Sequence, residues 1–384
     1  MLLVAMADSV HVARWLEQMS NFDIRVELVS SSPNRRLHPT IQQLFHKRPN
    51  QKLDLQISFA SRYLSLPLWL LDRFSGDALR GFALRRTIRT FNPHVIHALE
   101  FQHGGYMLNR VPVRLLQRRV VAVTNYGSDI YWFARFPRHQ AKIRKLLERA
   151  DAYSAECARD EGLARDMGFR GPTSMIFPNT GGLSENTLQL GVTSQEPSAR
   201  NVILVKGYQN QFGRAMEALR ALAKLRAELK EFNIVIFSAN LTTALAATWL
   251  KFSKGLRIKI HLKGKLPHAE MLELFRQARC YVGLSRSDGI STSLLEAMAM
   301  GAFPIQTGTA CVSEWARDGI SAFIVDDLSV DHIATLIRQA LESDDLVDLA
   351  RALNRKTIEE RYSSKVVGAS VRAFYDDLFA RAQD

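Results

Sequence analysis

Residues 285–304 read SRSDGISTSLLEAMAMGAFP. Asp288 and Glu296 stand eight residues apart, with Gly289, Ile290, Ser291, Thr292 and Ser293 between them and Leu294, Leu295, Ala297, Met298 and Ala299 around the second acid. The apolar run predicts a buried helix, which Gly301 and Pro304 stop. The small, polar residues at 289–293 leave backbone N–H groups exposed where that helix begins. A helix start carries roughly half a positive charge and unpaired donors, so it suits a phosphate. Carboxylates on either side suit the hydroxyls of a sugar or ribose, and the stretch reads as a nucleotide-sugar site. Any buried helix would show the same apolar residues, and two acids at this spacing are a weak signal alone. The specificity lies in the whole string.

Outward from this stretch, short apolar runs alternate with amphipathic helical ones. Strands are predicted at Leu2–Met6, Ile24–Val29, Val95–Leu99, Val120–Thr124, Ala152–Ala155 and Ser174–Phe177, with helices at His11–Met19 and Lys142–Arg149. Residues 184–200, SENTLQLGVTSQEPSAR, lack apolar periodicity and read as a linker. The pattern then restarts with strands Val202–Val205, Ile234–Ser238, Ile258–Leu262, Cys280–Leu284, Phe303–Gln306 and Phe323–Val325. Helices Arg214–Glu231, Ala269–Ala278, Ser293–Met300 and His332–Glu342 lie among them. Strands alternating with helices imply parallel sheets covered on both faces. The expected class is α/β, two Rossmann-like doubly wound domains facing across a cleft. Ligands of such sheets lie beyond the carboxyl ends of the strands. The expected division is 1–185, a linker at 186–200, 201–365, and a last segment 366–384 whose helix, about 366–379, returns to the first domain. Residues 33–75 fit least well. Their apolar stretch 64–71, LSLPLWLL, suits either the first domain's core or a lipid-facing patch.

A chain of 384 residues is long enough for two cores. Hydrophobic content of 47% with 23% charged residues is that of a soluble globular protein, and no run of about 18 apolar residues predicts a membrane span. The opening MLLVAM reads as a buried strand, not a secretion signal. Cys157, Cys280 and Cys311 match no metal pattern, and reduced thiols in the cytoplasm are the expectation. The net charge of +13 is uneven: residues 1–190 hold 26 Lys+Arg against 16 Asp+Glu, leaving +10 there and +3 in the remainder. Such a basic half suits an anionic membrane surface, a phosphorylated acceptor or nucleic acid, or is simply a solvated surface. No nucleic-acid module accompanies it, which argues against that partner.

The string at 285–304 resembles the donor-site signature of glycosyltransferase family 4, E-x7-E followed by A-M-A-x-G-x-P, with Asp288 in place of the first Glu and Glu296 as the second. Other loops extend the resemblance over nearly the whole chain. Asp8-Ser9-Val10-His11 resembles the family's first strand–loop–helix, and on that resemblance Ser9 and His11 belong to the acceptor side, although Ser9 equally suits a helix cap. Ile96 to Tyr106 matches a loop lining the acceptor side, which nominates Glu100 and His103. Asn125-Tyr126-Gly127-Ser128-Asp129-Ile130 resembles the family's H-G-S-D-I loop, with Tyr126 where His is common and Asp129 as either a polar contact or a helix cap. Glu156 occupies the place of a usual serine, and Pro178-Asn179 resembles the turn closing the first domain.

In the second half the resemblance nominates Lys206 and Arg214 for the donor diphosphate, in swapped order and at different spacing from relatives, and the loop at Gly264 for the nucleobase. Two cations suit a leaving diphosphate whose negative charge grows as the glycosidic bond breaks. The resemblance implies the GT-B fold, retention at the anomeric carbon, no metal, and no cofactor, the nucleotide-sugar being a substrate. Asp288, Glu296, His103 and Asp129 are then the catalytic candidates. The backbone of Gly289, Ile290, Ser291, Thr292 and Ser293 completes the donor set. The implied partners are a nucleotide-sugar and a glycan or lipid-linked acceptor, with an anionic membrane surface beside the basic half. A catalytically inactive partner subunit and a nucleic-acid-binding protein are the alternatives.

Overall fold

The computed structural model describes residues 1–32, 36–46, 51–76 and 78–383. It divides into two compact units, residues 1–182 with 367–384, and residues 183–366. The first is built on strands β1 (Leu2–Ala5), β2 (Arg25–Ser30), β3 (Asp54–Ile57), β4 (Val95–Leu99), β5 (Val120–Thr124), β6 (Ala152–Ala155) and β7 (Thr173–Ile176). The second is built on β8 (Val202–Lys206), β9 (Asn233–Ala239), β10 (Ile258–Leu262), β11 (Ala278–Gly283), β12 (Phe303–Thr307) and β13 (Phe323–Val325). The orders are β3-β2-β1-β4-β5-β6-β7 and β10-β9-β8-β11-β12-β13, with every neighbouring pair parallel. Strands such as LLVA, VIHAL and VVAVT are buried at every position, as a sheet covered on both faces requires. The strand order reverses between β1 and β4 in one sheet and between β8 and β11 in the other. Both sheets are doubly wound, and each has its crevice at that reversal.

Strand β3 was not anticipated, because four half-polar residues at a sheet edge carry little apolar signal. Helices Leu241–Lys254 and Asp344–Arg361 were not anticipated either, and the helix expected to run to Glu231 ends at Lys224. Residues 184–200, expected as a linker, hold helix Glu185–Val192 and belong to the second unit. The helix seats itself through Gly191, whose backbone approaches the Ala299 carbonyl so closely that a Cβ would stand 2.0 Å from it. The core reading of 64–71 is corrected. That stretch enters helix Ser65–Ser75, on which Leu66, Leu70 and Leu71 are exposed, and Phe74 on the same helix is 93% exposed. No described helix is long and apolar enough to cross a membrane.

The last helix, Ser364–Arg381, joins the first unit from Val367 onward and is held there by a buried hydrogen-bonded chain. Trp15 Nε1 donates to the Tyr375 hydroxyl (2.9 Å), which shares a hydrogen bond with His97 Nδ1 (2.8 Å). His97 Nε2 is hydrogen-bonded to Thr124 Oγ1 (2.7 Å), and Thr124 Oγ1 to Ser154 Oγ (2.6 Å). The chain ties the helix after β1, strands β4, β5 and β6, and the last helix into one piece. His97 is fully buried, and burial pushes its pKa down to about 3. A base whose pKa falls on folding stabilises the fold above its unfolded pKa of about 6.5 and loses that contribution as pH falls below it, by about 1.4 kcal/mol per unit. His97→Gln cannot titrate, so its melting-temperature deficit against wild type should be largest near pH 7 and should shrink between pH 6.5 and 4.5. A deficit independent of pH would show that His97 is not neutral in the fold.

Candidate functional site

In the second unit, the reversal between β8 and β11 brings two loops together. Residues 207–214 follow β8 and residues 284–291 follow β11. The Arg214 amide donates to the Leu284 carbonyl (2.9 Å) and the Arg286 amide to the Phe212 carbonyl (2.8 Å). Lys206, the last residue of β8, reaches across this junction. Its ammonium donates to Ser291 Oγ (3.1 Å) and lies 3.7 Å from the Asp288 carboxylate. Burial works against the charged form of Lys206, but the facing Tyr281 phenol and Asp288 carboxylate outweigh it, with smaller help from Tyr208 and Glu296, and raise its pKa. The ammonium is therefore held charged.

Ser291 is the N-cap of helix Thr292–Met300, yet its side chain makes no capping hydrogen bond because the hydroxyl is turned to Lys206. The helix start is thus presented beside a fixed cation. An uncapped helix start next to an ammonium is an anion site on elementary grounds. Gly283, at the end of β11, leaves the space that the Tyr281 hydroxyl and Gln306 Oε1 occupy, each 2.3 Å from where a Cβ would stand. One helical turn on from Ser291, Glu296 is 1% exposed and its Oε1 accepts from His268 Nε2 at 2.6 Å. His268 is the first residue of helix His268–Gln277, directly after the Gly264 loop. Nothing in the sequence marked it. Only its position after Leu266-Pro267 signals a helix start, and its partner lies 28 residues away.

The structure thus joins Lys206, Asp288, Ser291 and Glu296, with Gly289 donating its amide to Asp288 Oδ1 (3.0 Å). Ile290 is buried, and Thr292 and Ser293 form the first turn of the helix. Gly264 sits at φ +72° in the loop after β10. Arg214 is the N-cap residue of helix Ala215–Lys224. Its Nη1 donates to the carbonyls of Asn210 (2.7 Å) and Gly213 (2.6 Å), so the guanidinium braces its own loop.

In the first unit the nominated residues also gather at carboxyl ends of strands. Ser9 caps helix Val10–Gln18 by accepting from the His11 amide (3.2 Å), and the His11 ring lies 5.9 Å from that of Tyr126. Glu100, at φ +70°, closes β4 over a π-type turn, Phe101–Gly105. Its carboxylate accepts from the His103 amide (2.8 Å), the Gly104 amide and Ser31 Oγ (3.3 Å). The His103 side chain is exposed. Asp129 Oδ2 accepts from the amides of Phe101 (2.9 Å) and Tyr126 (3.0 Å), so this carboxylate joins the loops after β4 and β5. Glu156 accepts from the Gly127 amide (3.3 Å). Glu100 and Asp129 are therefore buried acids that shape the turns on which His103 and Tyr126 stand.

Burial, with Glu100 close by, pushes the Asp129 carboxyl well above its ordinary value, and burial raises Glu100. An acid whose pKa is raised by folding binds more protons folded than unfolded, so it opposes folding increasingly as pH rises past about 4. Asp129→Asn keeps an oxygen for both amides and removes the charge. We expect it to match wild type near pH 4 and to be more stable at pH 7 by about 1 kcal/mol, roughly 2–4 °C in melting temperature. A stabilised variant that loses activity would mark the charge as functional, whereas a destabilised one would refute the raised pKa.

Residues 194–360 match the family model described as glycosyl transferases group 1, and residues 1–155 the model described as glycosyl transferase 4-like. No curated protein matches the sequence. Among solved structures, HepE from Anabaena in complex with UDP superposes with a TM-score of 0.69 at 13% identity, over 98% of this chain and 99% of that one. A glycosyltransferase from Rickettsia africae gives 0.70 at 12% identity, over 98% of each chain. An α,α-trehalose 6-phosphate synthase from Burkholderia multivorans gives 0.71 at 11%, over 100% of this chain and 99% of that one. These likenesses show the GT-B fold, and the two family matches, one in each half of the chain, support a glycosyltransferase of group 1.

Proposed function

We propose that the chain is a retaining, metal-independent glycosyltransferase of family 4. It would move a hexose from a nucleotide-sugar to a glycan or lipid-linked acceptor, in the assembly of surface polysaccharide or lipopolysaccharide at the cytoplasmic face of a membrane. The observation that carries the donor half is the Lys206 ammonium fixed against Ser291 at the start of helix Thr292–Met300. HepE of Anabaena has been solved with UDP and with UDP-glucose, which supports a donor of this chemical class.

In this reading the diphosphate lies against the amides of Thr292 and Ser293, with Lys206 neutralising it. The anomeric C–O bond breaks and its electron pair goes to the departing diphosphate. The cation and the helix start stabilise the charge that develops there. The acceptor hydroxyl attacks from the face that the leaving group vacates and passes its proton to the departing phosphate, so no protein nucleophile takes part. Glu296, held by His268, receives ribose or sugar hydroxyls, and Asp288 orients the sugar. Arg214 acts as a positioning residue, keeping the 207–214 loop in shape. Within the first unit, His11, Tyr126 and His103 receive the acceptor. A second reading, an inactive partner subunit, rests on Tyr126 where His is common and Asp288 where Glu is common.

Thermal stabilisation against a panel of nucleoside diphosphates and their sugars tests the donor site. A ligand present at 100 times its dissociation constant should add about 2.7 kcal/mol of stability. We expect a shift with one base, reduced in Glu296→Ala. Turnover of the matching sugar nucleotide by the isolated chain excludes the inactive-partner reading. No shift with any nucleotide would contradict the donor assignment.

A further inference from the structure

The modest charge of the second half conceals a local extreme. Between Asn233 and Ala269 there is no Asp or Glu, while Lys251, Lys254, Arg257, Lys259, Lys263 and Lys265 are all present and all exposed. The helix Leu241–Lys254 lies in this stretch, packed on β9 and the edge strand β10 through Thr243, Ala247 and Leu250. On its other side, Leu241, Leu245, Trp249 and Phe252 are 71, 63, 62 and 79% exposed. At about 100° per residue these four fall within about 80° of one another, a single stripe along a helix of roughly 21 Å. An apolar groove of about 430 Å³ runs beside Trp249, between this helix and Ala215–Lys224, and is edged by Arg220, Lys224 and Lys254.

A helix apolar on both faces needs an apolar neighbour on both. Charge decides which neighbour. A second copy meeting this patch about a two-fold axis would set cations against the same cations, with no acid in the stretch to answer them. A bilayer with anionic headgroups meets both needs. Leucine and aromatic side chains enter the boundary between headgroups and acyl chains, while lysines and arginines meet the lipid phosphates. We propose that the outer face of Leu241–Lys254, with the cations of 251–265, docks the second unit onto an anionic lipid bilayer. This surface is distinct from the basic first half and does not rest on the donor assignment. It leads towards the donor site, since the Lys263 ammonium lies 5.4 Å from the Tyr208 ring, which has the Lys206 ammonium at the same distance.

Co-sedimentation of the full chain with vesicles of phosphatidylcholine, with and without phosphatidylglycerol, tests the proposal. Wild type should partition onto the anionic vesicles and only weakly onto neutral ones. The pair Trp249→Ser and Phe252→Ser should lower that partition roughly tenfold or more, and Lys251→Gln with Lys254→Gln roughly ten- to thirtyfold. All four positions are exposed, so melting temperature and nucleotide-induced stabilisation should stay at wild-type values, which separates this result from a failure of the donor site. Absence of wild-type binding to anionic vesicles would overturn the proposal. So would loss of binding confined to Leu70→Ser with Phe74→Ser, the Trp249/Phe252 pair binding as wild type. A concentration-dependent dimer that the Trp249/Phe252 pair abolishes, without vesicle binding, would overturn it in favour of a second copy.

Discussion

One hydrogen bond, from the Lys206 ammonium to the Ser291 hydroxyl, organises the second unit's chemistry. It links the end of β8 to the helix after β11, the two strands that flank the reversal of strand order. It also removes from the helix the side chain that would ordinarily cap it. Helix start and cation are thereby held side by side. The partly buried Asp288 carboxylate keeps the ammonium charged, and Glu296, a turn further along, is pinned by His268. A site built in this way is ordered before any ligand arrives, so little reorganisation opposes binding.

The first unit uses buried carboxylates for a different end. Glu100 and Asp129 each accept backbone amides, and between them they set the turns after β4 and β5. Burial raises both, so holding them near each other opposes folding, and the turns they shape offer His103, Tyr126 and the Glu156-bound amide of Gly127 at one end of the sheet. A fold that keeps two such acids adjacent gains loop geometry in return. The His97 chain has the opposite character, being paired at both ring nitrogens and neutral.

The fold was legible because buried parallel strands read as short apolar runs, and twelve strands were visible in the sequence in this way or as shorter, partly polar stretches. What was not legible has identifiable causes. β3 is short, edge-placed and half polar. The helix Leu241–Lys254 is apolar on two faces, which erases the periodicity that reveals an ordinary surface helix. The helix Glu185–Val192 is carried by a close backbone approach at Gly191, not by an apolar stripe. Within the candidate site, residues that share one stretch leave a pattern in the whole string, as 285–304 does. Partnerships across the chain do not, and neither the turning of Arg214 into its own loop nor the pairing of His268 with Glu296 leaves a local mark.

The central claim is that Lys206 and the start of helix Thr292–Met300 hold the two phosphates of a nucleotide-sugar. Calorimetric affinities of the stabilising nucleoside diphosphate and of its parent nucleoside, for wild type and Lys206→Met, test this directly. The account predicts that Lys206→Met weakens the diphosphate roughly tenfold or more, through loss of a charge-assisted contact, and leaves the nucleoside unchanged. Equal losses for both ligands, or none for the diphosphate, would contradict it.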